Sequence, residues 1–286
     1  MSERVRLSAL DNGSWLLARE AAASRLDAIA ARRRSRRYAH DGPPALCLFV
    51  GYPRSGHSAV GSILDAHPDA VVAHRFDALA YVERGWSPPM LAHMIVRNSR
   101  RYARSGRRLT GYSYAVPGAP HGGFRTLRLV AAQEGRLTTE RLGRDLAPLQ
   151  GYERRFGVRV PLLHVVRNPY DNITTWAIRR MAELEPTIDA YFALARAVAT
   201  VAEQRPEPPI EVRHEELLAR PEDVVPRLCD ALGLARDPDH LRHSAEMLYR
   251  TPHRSRTERT WSPAQIARVA REMAAFPCFE GYAWDT

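Results

Sequence analysis

Two stretches of the chain are apolar almost without interruption. ALCLFVGY (45–52) and VPLLHVVR (160–167) show no alternation of apolar and polar positions. That is the pattern of strands buried on both faces in a parallel sheet. Helix signals follow each of them. His57–Ala66 has apolar side chains at helical spacing, and His67-Pro68 ends the run. After the second stretch, Asn168 stands as an N-cap and Pro169 at the first helical position. Helices are predicted there over 169–182 and 186–204. Ser87-Pro88-Pro89 opens another that runs to Arg104, and 138–156 reads as a single helix. LTGYSYAV (109–116) and FRTLRLVAA (124–132) read as weaker strands. PIEVRHEEL (209–217) holds a short strand, and Pro221–Leu232 forms a helix that Gly233 ends. Ser262-Pro263 caps a helix with Ile266, Val269, Ala270 and Met273 on one face. Residues 14–38 read as an N-terminal helix capped by Ser14, and DGPPA (41–45) as a turn or linker. The alternation predicts an α/β fold, with a parallel sheet flanked by helices on both faces. An N-terminal helical segment (1–40) precedes the main domain (45–286).

Composition narrows the function. With 286 residues, 45% of them hydrophobic, the chain can bury a sizeable core. Its formal charge is +10, and all 42 basic residues are arginine. Any anion site must therefore use planar, bidentate guanidinium groups rather than an ammonium point charge. Such a balance brings nucleic acid into consideration. However, the arginines are spread along the chain and no nucleic-acid motif accompanies them. The densest cluster, ARRRSRRYAH (31–40), ends the predicted first helix, where the dipole favours positive charge. No nucleic-acid partner is expected. No apolar run approaches the roughly 18 residues of a membrane span, so no membrane partner is expected either. MSERVRLSALDNGSW has no apolar signal core. Cys47, Cys229 and Cys278 are few and far apart, and fit neither a disulfide framework nor a metal site. The expectation is a reducing, cytoplasmic compartment and no metal.

The candidate chemistry lies at the tips of the two buried strands. GYPRSGHS (51–58) nearly matches a Walker A loop, but the lysine position holds His57. In a strand-loop-helix unit, backbone N–H groups converge on one spot that suits a tetrahedral anion. Gly51 and Gly56 permit close approach, Ser55 and Ser58 offer hydroxyls, and Arg54 supplies the charge. The same residues also suit an ordinary tight turn. On the second strand, Arg167 sits at the carboxyl end, where ligands bind in open α/β sheets. Thr175 lies two turns into the following helix. The pair suits a second phosphate; equally, Arg167 could pair with Asp171 and Thr175 with its own helix.

GYPRSGHSAVGSILDAHPD resembles the 5′-phosphosulfate loop of the sulfotransferases, whose common form is Y/V-P-[KR]-[SA]-G-[TS]-[TS]. The LDAHPD ending is similar to tyrosylprotein and many bacterial sulfotransferases. RNPYDNITT is similar to the family's 3′-phosphate motif. IEVRHEELLARPEDVVPRLCDALGL resembles its later strand-helix segment. The resemblance covers about residues 45–285. It implies a P-loop-kinase-like fold and the donor 3′-phosphoadenosine-5′-phosphosulfate (PAPS), with no metal. It also implies sulfuryl transfer to a hydroxyl or amine of a small-molecule acceptor. Carried over by position, Arg54 takes the place of the loop Lys or Arg. Ser55, Gly56, His57 and Ser58 would cradle the 5′-phosphate, and Arg167 and Thr175 would hold the 3′-phosphate. In the basic loop YRTPHRSRTERTW, Arg256 is the first candidate to close over the 3′-phosphate, beside Arg254 and Arg259.

The family's general base is a His or a Glu. The corresponding stretch here, AVVAHRFDAL, has His74, with Asp77 as the alternative; His121 lies in a Gly/Pro-rich loop. Each histidine is also readable as one satisfied within the fold. Related bacterial members carry Gly-Asp-Lys-Lys-Gly where this chain reads LRLVAAQEGRL, so that lysine complement is absent. A non-catalytic subunit of an enzyme complex stays open on that ground. A P-loop kinase would need a basic residue at position 57 and an acidic strand tip, and HVVRNP has none. The acceptor pocket is expected within 74–123, where Trp86, Tyr102, Tyr112 and Tyr114 occur. A bacterial natural product is the expected acceptor, by association with the arginine-only composition. A homo- or hetero-oligomer remains open.

Overall fold

The computed structural model describes residues 31–38, 42–109, 112–248 and 251–286. Its centre is a five-stranded sheet: β1 (Ala45–Val50), β2 (Ala70–His74), β5 (Leu129–Gln133), β6 (Leu162–Val166) and β7 (Ile210–Arg213). The spatial order is β2-β5-β1-β6-β7, and all four pairings are parallel. The remaining strands, β3 (Arg108–Leu109) and β4 (Tyr112–Ser113), form a small antiparallel ribbon apart from it.

The lack of alternation in β1 has a direct cause. Cys47 and Phe49 pack on one face against Val60, Ile63 and Leu64 of α1 (His57–Asp65). Leu46, Leu48 and Val50 pack on the other. There they meet α3 (Pro88–Arg104), in a cluster that holds Leu91 and Ile95 and extends to Leu149 and Tyr152 of the helix Ala147–Phe156. A strand covered on both faces has no polar positions to place. Each fully buried side chain of this kind contributes roughly 1.5–3 kcal/mol. A third cluster joins α6 (Pro169–Arg180), α7 (Leu184–Glu203) and the helix Pro263–Met273, through Ile173, Tyr191, Phe192 and Val269.

Several elements depart from the sequence expectations. β2 and α2 (Ala78–Glu83) fall in a stretch with no predicted element, as does the helix Pro238–Met247. The predicted helix 138–156 is two helices, α4 (Gly135–Arg144) and α5 (Ala147–Phe156). Asp145 adopts an extended backbone at the break, and its carboxylate accepts from Ala147 N–H at 2.8 Å. Of the strand expected at 109–116, the described residues in strands are Leu109, which ends β3, and Tyr112–Ser113, which form β4; the one expected at 124–132 begins only at Leu129. Of the predicted N-terminal helix, only 31–38 fall among the described residues, as a helical end and a 3₁₀ turn. The Ser262 cap is present, reciprocated by Gln265. Among the described residues, no helix is long and apolar enough to cross a membrane.

Candidate active site

The strand order changes direction between β5, β1 and β6, so the loops leaving β1 and β6 diverge and leave a crevice between them. A cavity of about 840 Å³ occupies it.

The loop 51–56 forms the floor. Gly51 and Gly56 have φ of 114° and 109°, and Arg54 has φ 69°, a left-handed conformation rare for a residue with a side chain. Gly56 is required twice over, because a Cβ there would come within 2.5 Å of His214 Nδ1. Thr139 of α4 anchors the loop by accepting from Gly51 N–H at 2.7 Å, and Asn172 of α6 donates to the Pro53 carbonyl at 2.6 Å. The N–H groups of residues 54–58 find no acceptor among the described residues. They lead into the N-terminus of α1, so the floor is a cluster of free donors at a positive helix end.

Arg54 lines the cavity, with its Nε buried and unpartnered. No carboxylate lies within ion-pair distance of it among the described residues. Burial holds its guanidinium below the usual arginine value. Tyr114 opposes that shift, while Arg179, Arg75 and Arg167 reinforce it. A cation left this way has exchanged water for like charges, which is unfavourable unless an anion joins it.

The wall comes from β6 and α6. Asn168 caps α6 by accepting from Tyr170 N–H at 3.1 Å, as its sequence position implied. Arg167 is only 8% exposed. It donates to Thr175 Oγ1 at 3.3 Å and to the Arg54 carbonyl at 3.4 Å, joining the two strand tips. It also donates to the His253 carbonyl (2.7 Å) and to Ser255 Oγ (3.0 Å), which lies 2.7 Å from Thr175 Oγ1. Arg167, Thr175 and Ser255 thus form one polar cluster facing the cavity.

The other sequence candidates are placed differently. Gly56, His57 and Ser58 line the cavity, but the His57 ring turns away and its Nε2 lies 3.2 Å from the Val50 carbonyl. Burial holds it neutral, near a pKa of about 4. The ring packs so closely on α4 that a Cβ at Gly135 would lie 2.2 Å from it. Ser55 is fully buried and donates to the Tyr52 carbonyl at 3.1 Å. Arg256 lies outside the cavity lining: it forms a bidentate pair with Asp171 (3.0 and 2.6 Å) and donates to the Ala283 and Trp284 carbonyls. That chemistry leaves no free fork for a ligand; Arg256 instead fixes the turn that presents Ser255. Arg254 and Arg259 are exposed.

His74 also lies outside the lining. Its Nδ1 is 2.8 Å from Gln133 Oε1, whose amide nitrogen donates to Ser58 Oγ at 3.4 Å. An amide oxygen only accepts, so Nδ1 carries the hydrogen. The ring stacks on Tyr102 at 4.0 Å, and burial lowers its pKa to about 4. His121 spends both nitrogens, one 3.2 Å from Asp65 and the other accepting from Val116 N–H at 2.8 Å. Asp77 caps Ala78–Glu83 and pairs with Arg141. Tyr112 and Tyr114 line the cavity, whereas Trp86 is in the core.

One acidic group in the cavity escaped the sequence reading. Glu134 follows β5 and lines the crevice beside Gln133 and Arg136. Burial raises its carboxyl above the usual range, against the Leu137 N–H and Arg136. Its signal was present: an acidic residue at the carboxyl tip of an apolar strand. His214 was likewise missed; it is held neutral by burial, near about 3, beneath Gly56.

No family model matches the chain, and no curated protein matches it significantly. Among solved structures, the sulfotransferase STF9 from Mycobacterium avium aligns over 96% of this chain and 86% of its own, with a TM-score of 0.50 and 13% identity. The chain has a sulfotransferase fold. The sulfotransferase domains from the curacin biosynthetic pathway and the Synechococcus PCC 7002 olefin synthase align at TM-scores of 0.47 and 0.43. Their identities are 14% and 16%; they cover 81% and 79% of this chain, and 97% and 88% of their own. The fold is shared with the Mycobacterium avium protein at 13% identity, and the crevice at its strand tips has to be read from this chain's own residues.

Proposed function

We propose that the chain is an enzyme that transfers the sulfuryl group of PAPS to a hydroxyl or amine of a small molecule. The observation that carries this is Arg54, a half-buried cation with no anionic partner among the described residues and a buried, unpartnered Nε, set among free loop N–H groups and facing the Arg167–Thr175–Ser255 cluster. The donor carries anionic groups at its 5′ and 3′ positions, and the crevice is lined by a basic group for each, Arg54 and Arg167. Arg54 and the N–H groups of 54–58 would take the 5′-phosphosulfate. Arg167, Thr175 and Ser255 would take the 3′-phosphate, which would replace the carbonyl and hydroxyl acceptors that Arg167 holds in this structure.

In the transfer, the acceptor oxygen or nitrogen bonds to sulfur while the bond from sulfur to the 5′-phosphate oxygen breaks. Negative charge grows on that leaving oxygen, and Arg54 would neutralise it. The acceptor's proton would pass to Glu134, which lines the cavity and whose carboxyl burial raises above the usual range. His74, expected from the sequence to act as base, instead orients Gln133 and through it Ser58. Tyr112, Tyr114 and Arg75 would border the acceptor. Such a reaction relies on positioning and charge stabilisation rather than on a metal.

The test is calorimetric titration with 3′-phosphoadenosine-5′-phosphate, beside ATP and with Arg167→Ala as control. Micromolar binding that the variant loses, with ATP much weaker, is the expected result. Absence of binding to the intact protein overturns the reading and leaves a sulfotransferase-like subunit without donor chemistry.

A further inference from the structure

On the far side of the β1 tip, His164 of β6 is completely buried, and neither ring nitrogen has a hydrogen-bond partner. Leaving an imidazole dry and unpaired is unfavourable, so natural folds rarely do it without a use. Two groups converge on it. Glu211 is its register neighbour on β7, with Oε1 3.4 Å from His164 Nδ1. Cys278, in the 3₁₀ turn Pro277–Phe279, brings its thiol to the same place. One donor atom from each of the three lies within 4.8 Å of the others.

We propose that His164, Glu211 and Cys278 bind a divalent transition-metal ion, zinc by preference. Imidazole, carboxylate and thiolate together are the donor set of a borderline-soft ion, and solvent can complete a fourth position. Glu211 is half exposed, which gives the ion an entry path and the carboxylate freedom to close on it. Binding displaces the thiol proton to solvent and gives the orphaned imidazole its partner. The Tyr52 hydroxyl, already hydrogen-bonded to Cys278, would support the sulfur from behind. Occupancy would clamp the C-terminal turn onto the β6–β7 edge. The other His/Cys cluster, His67, Cys229 and His240, lacks a carboxylate, and of its ring nitrogens only His240 Nδ1 is without a partner. There, one His67 nitrogen lies 2.8 Å from the Ala235 carbonyl and the other accepts from Asp69 N–H.

The full chain, stripped with a chelator and dialysed against zinc, should retain one zinc per molecule. Glu211→Gln and Cys278→Ser should each weaken zinc binding at least tenfold and abolish the zinc-dependent rise in thermal midpoint. Cobalt should give a thiolate-to-cobalt charge-transfer band that Cys278→Ser loses and Cys229→Ser keeps. Glu211→Gln changes an edge-strand position, so a folded variant is available if substitution of buried His164 fails. No zinc retained by the folded wild type, or a cobalt band that survives Cys278→Ser, overturns the proposal. Neither outcome depends on the sulfotransferase reading.

Discussion

Replacing Arg54 by glycine removes a guanidinium and relaxes a backbone at the same time. At φ 69° a residue with a Cβ costs about 1–2 kcal/mol relative to the right-handed region. Glycine relieves that but loses about 0.5–1 kcal/mol in unfolded-state entropy. Arg54 also sits among Arg75, Arg167 and Arg179 without a partner carboxylate. At an effective dielectric of about 20 or more, and with salt screening, relief of that repulsion adds about 1 kcal/mol. The ligand-free variant should therefore be more stable than the wild type by about 1–2 kcal/mol, a rise of roughly 2–6 °C in thermal midpoint. Arg54→Ala, which keeps the strained backbone, should gain only the charge part. Both variants should lose about 10²–10³ in sulfuryl-transfer rate, the scale of a lost transition-state donor. The assays are thermal denaturation without ligand and initial rates from PAPS with a responsive acceptor. A lower midpoint in the glycine variant would mean that Arg54 holds the loop rather than waits for an anion. An undiminished rate would refute its catalytic assignment.

Arg256→Ala breaks a buried bidentate pair and strands Asp171, so unfolding free energy should fall by about 3–5 kcal/mol in urea titration. If Arg256 instead bound the donor directly, affinity would drop with little loss of stability. Glu134→Gln should lower turnover by about 10²–10⁴ while leaving affinity for 3′-phosphoadenosine-5′-phosphate within a factor of a few. Equal loss in both would assign Glu134 to binding rather than proton transfer. His57 and His74 are held neutral near about 4 in the folded chain, and His214 near about 3, whereas all three titrate near 6.5 when unfolded. Below about pH 6.5 the unfolded chain binds more protons, so stability should be full above that pH and fall progressively towards pH 4. Urea midpoints at pH 5, 6 and 7 check this, and His57→Gln should flatten the slope.

The parts of this protein legible in the sequence are those that local physics writes in consecutive residues. β1 and β6 are apolar because both faces are covered, and the Asn168 and Ser262 caps bond residues within a turn of themselves. The placement of Arg54 and Arg167 at strand tips, and of Thr175 two turns into the next helix, follows from the same local rules. β2 was missed because AVVAH is too short and too close to α1 to stand apart from it. The split of 138–156 was missed because one extended residue, Asp145, decides it.

Roles that depend on which partner arrives from far along the chain were decided by the tertiary structure alone. Arg256 and Ser255 are adjacent, yet Asp171 takes the first inward and Thr175 holds the second at the crevice. His74 reads as a base until Gln133, 59 positions away, fixes its ring, and Glu134 enters the cavity by leaving the neighbouring strand. His57 stands in the phosphate-binding loop, but the space under α4 draws its ring back to the Val50 carbonyl. Apolar burial and helix capping depend on immediate neighbours, and so the sequence alone determined the frame and its strand tips. Charge pairing and hydrogen-bond direction depend on residues brought together only by folding, and there the three-dimensional arrangement decided which groups are free to act.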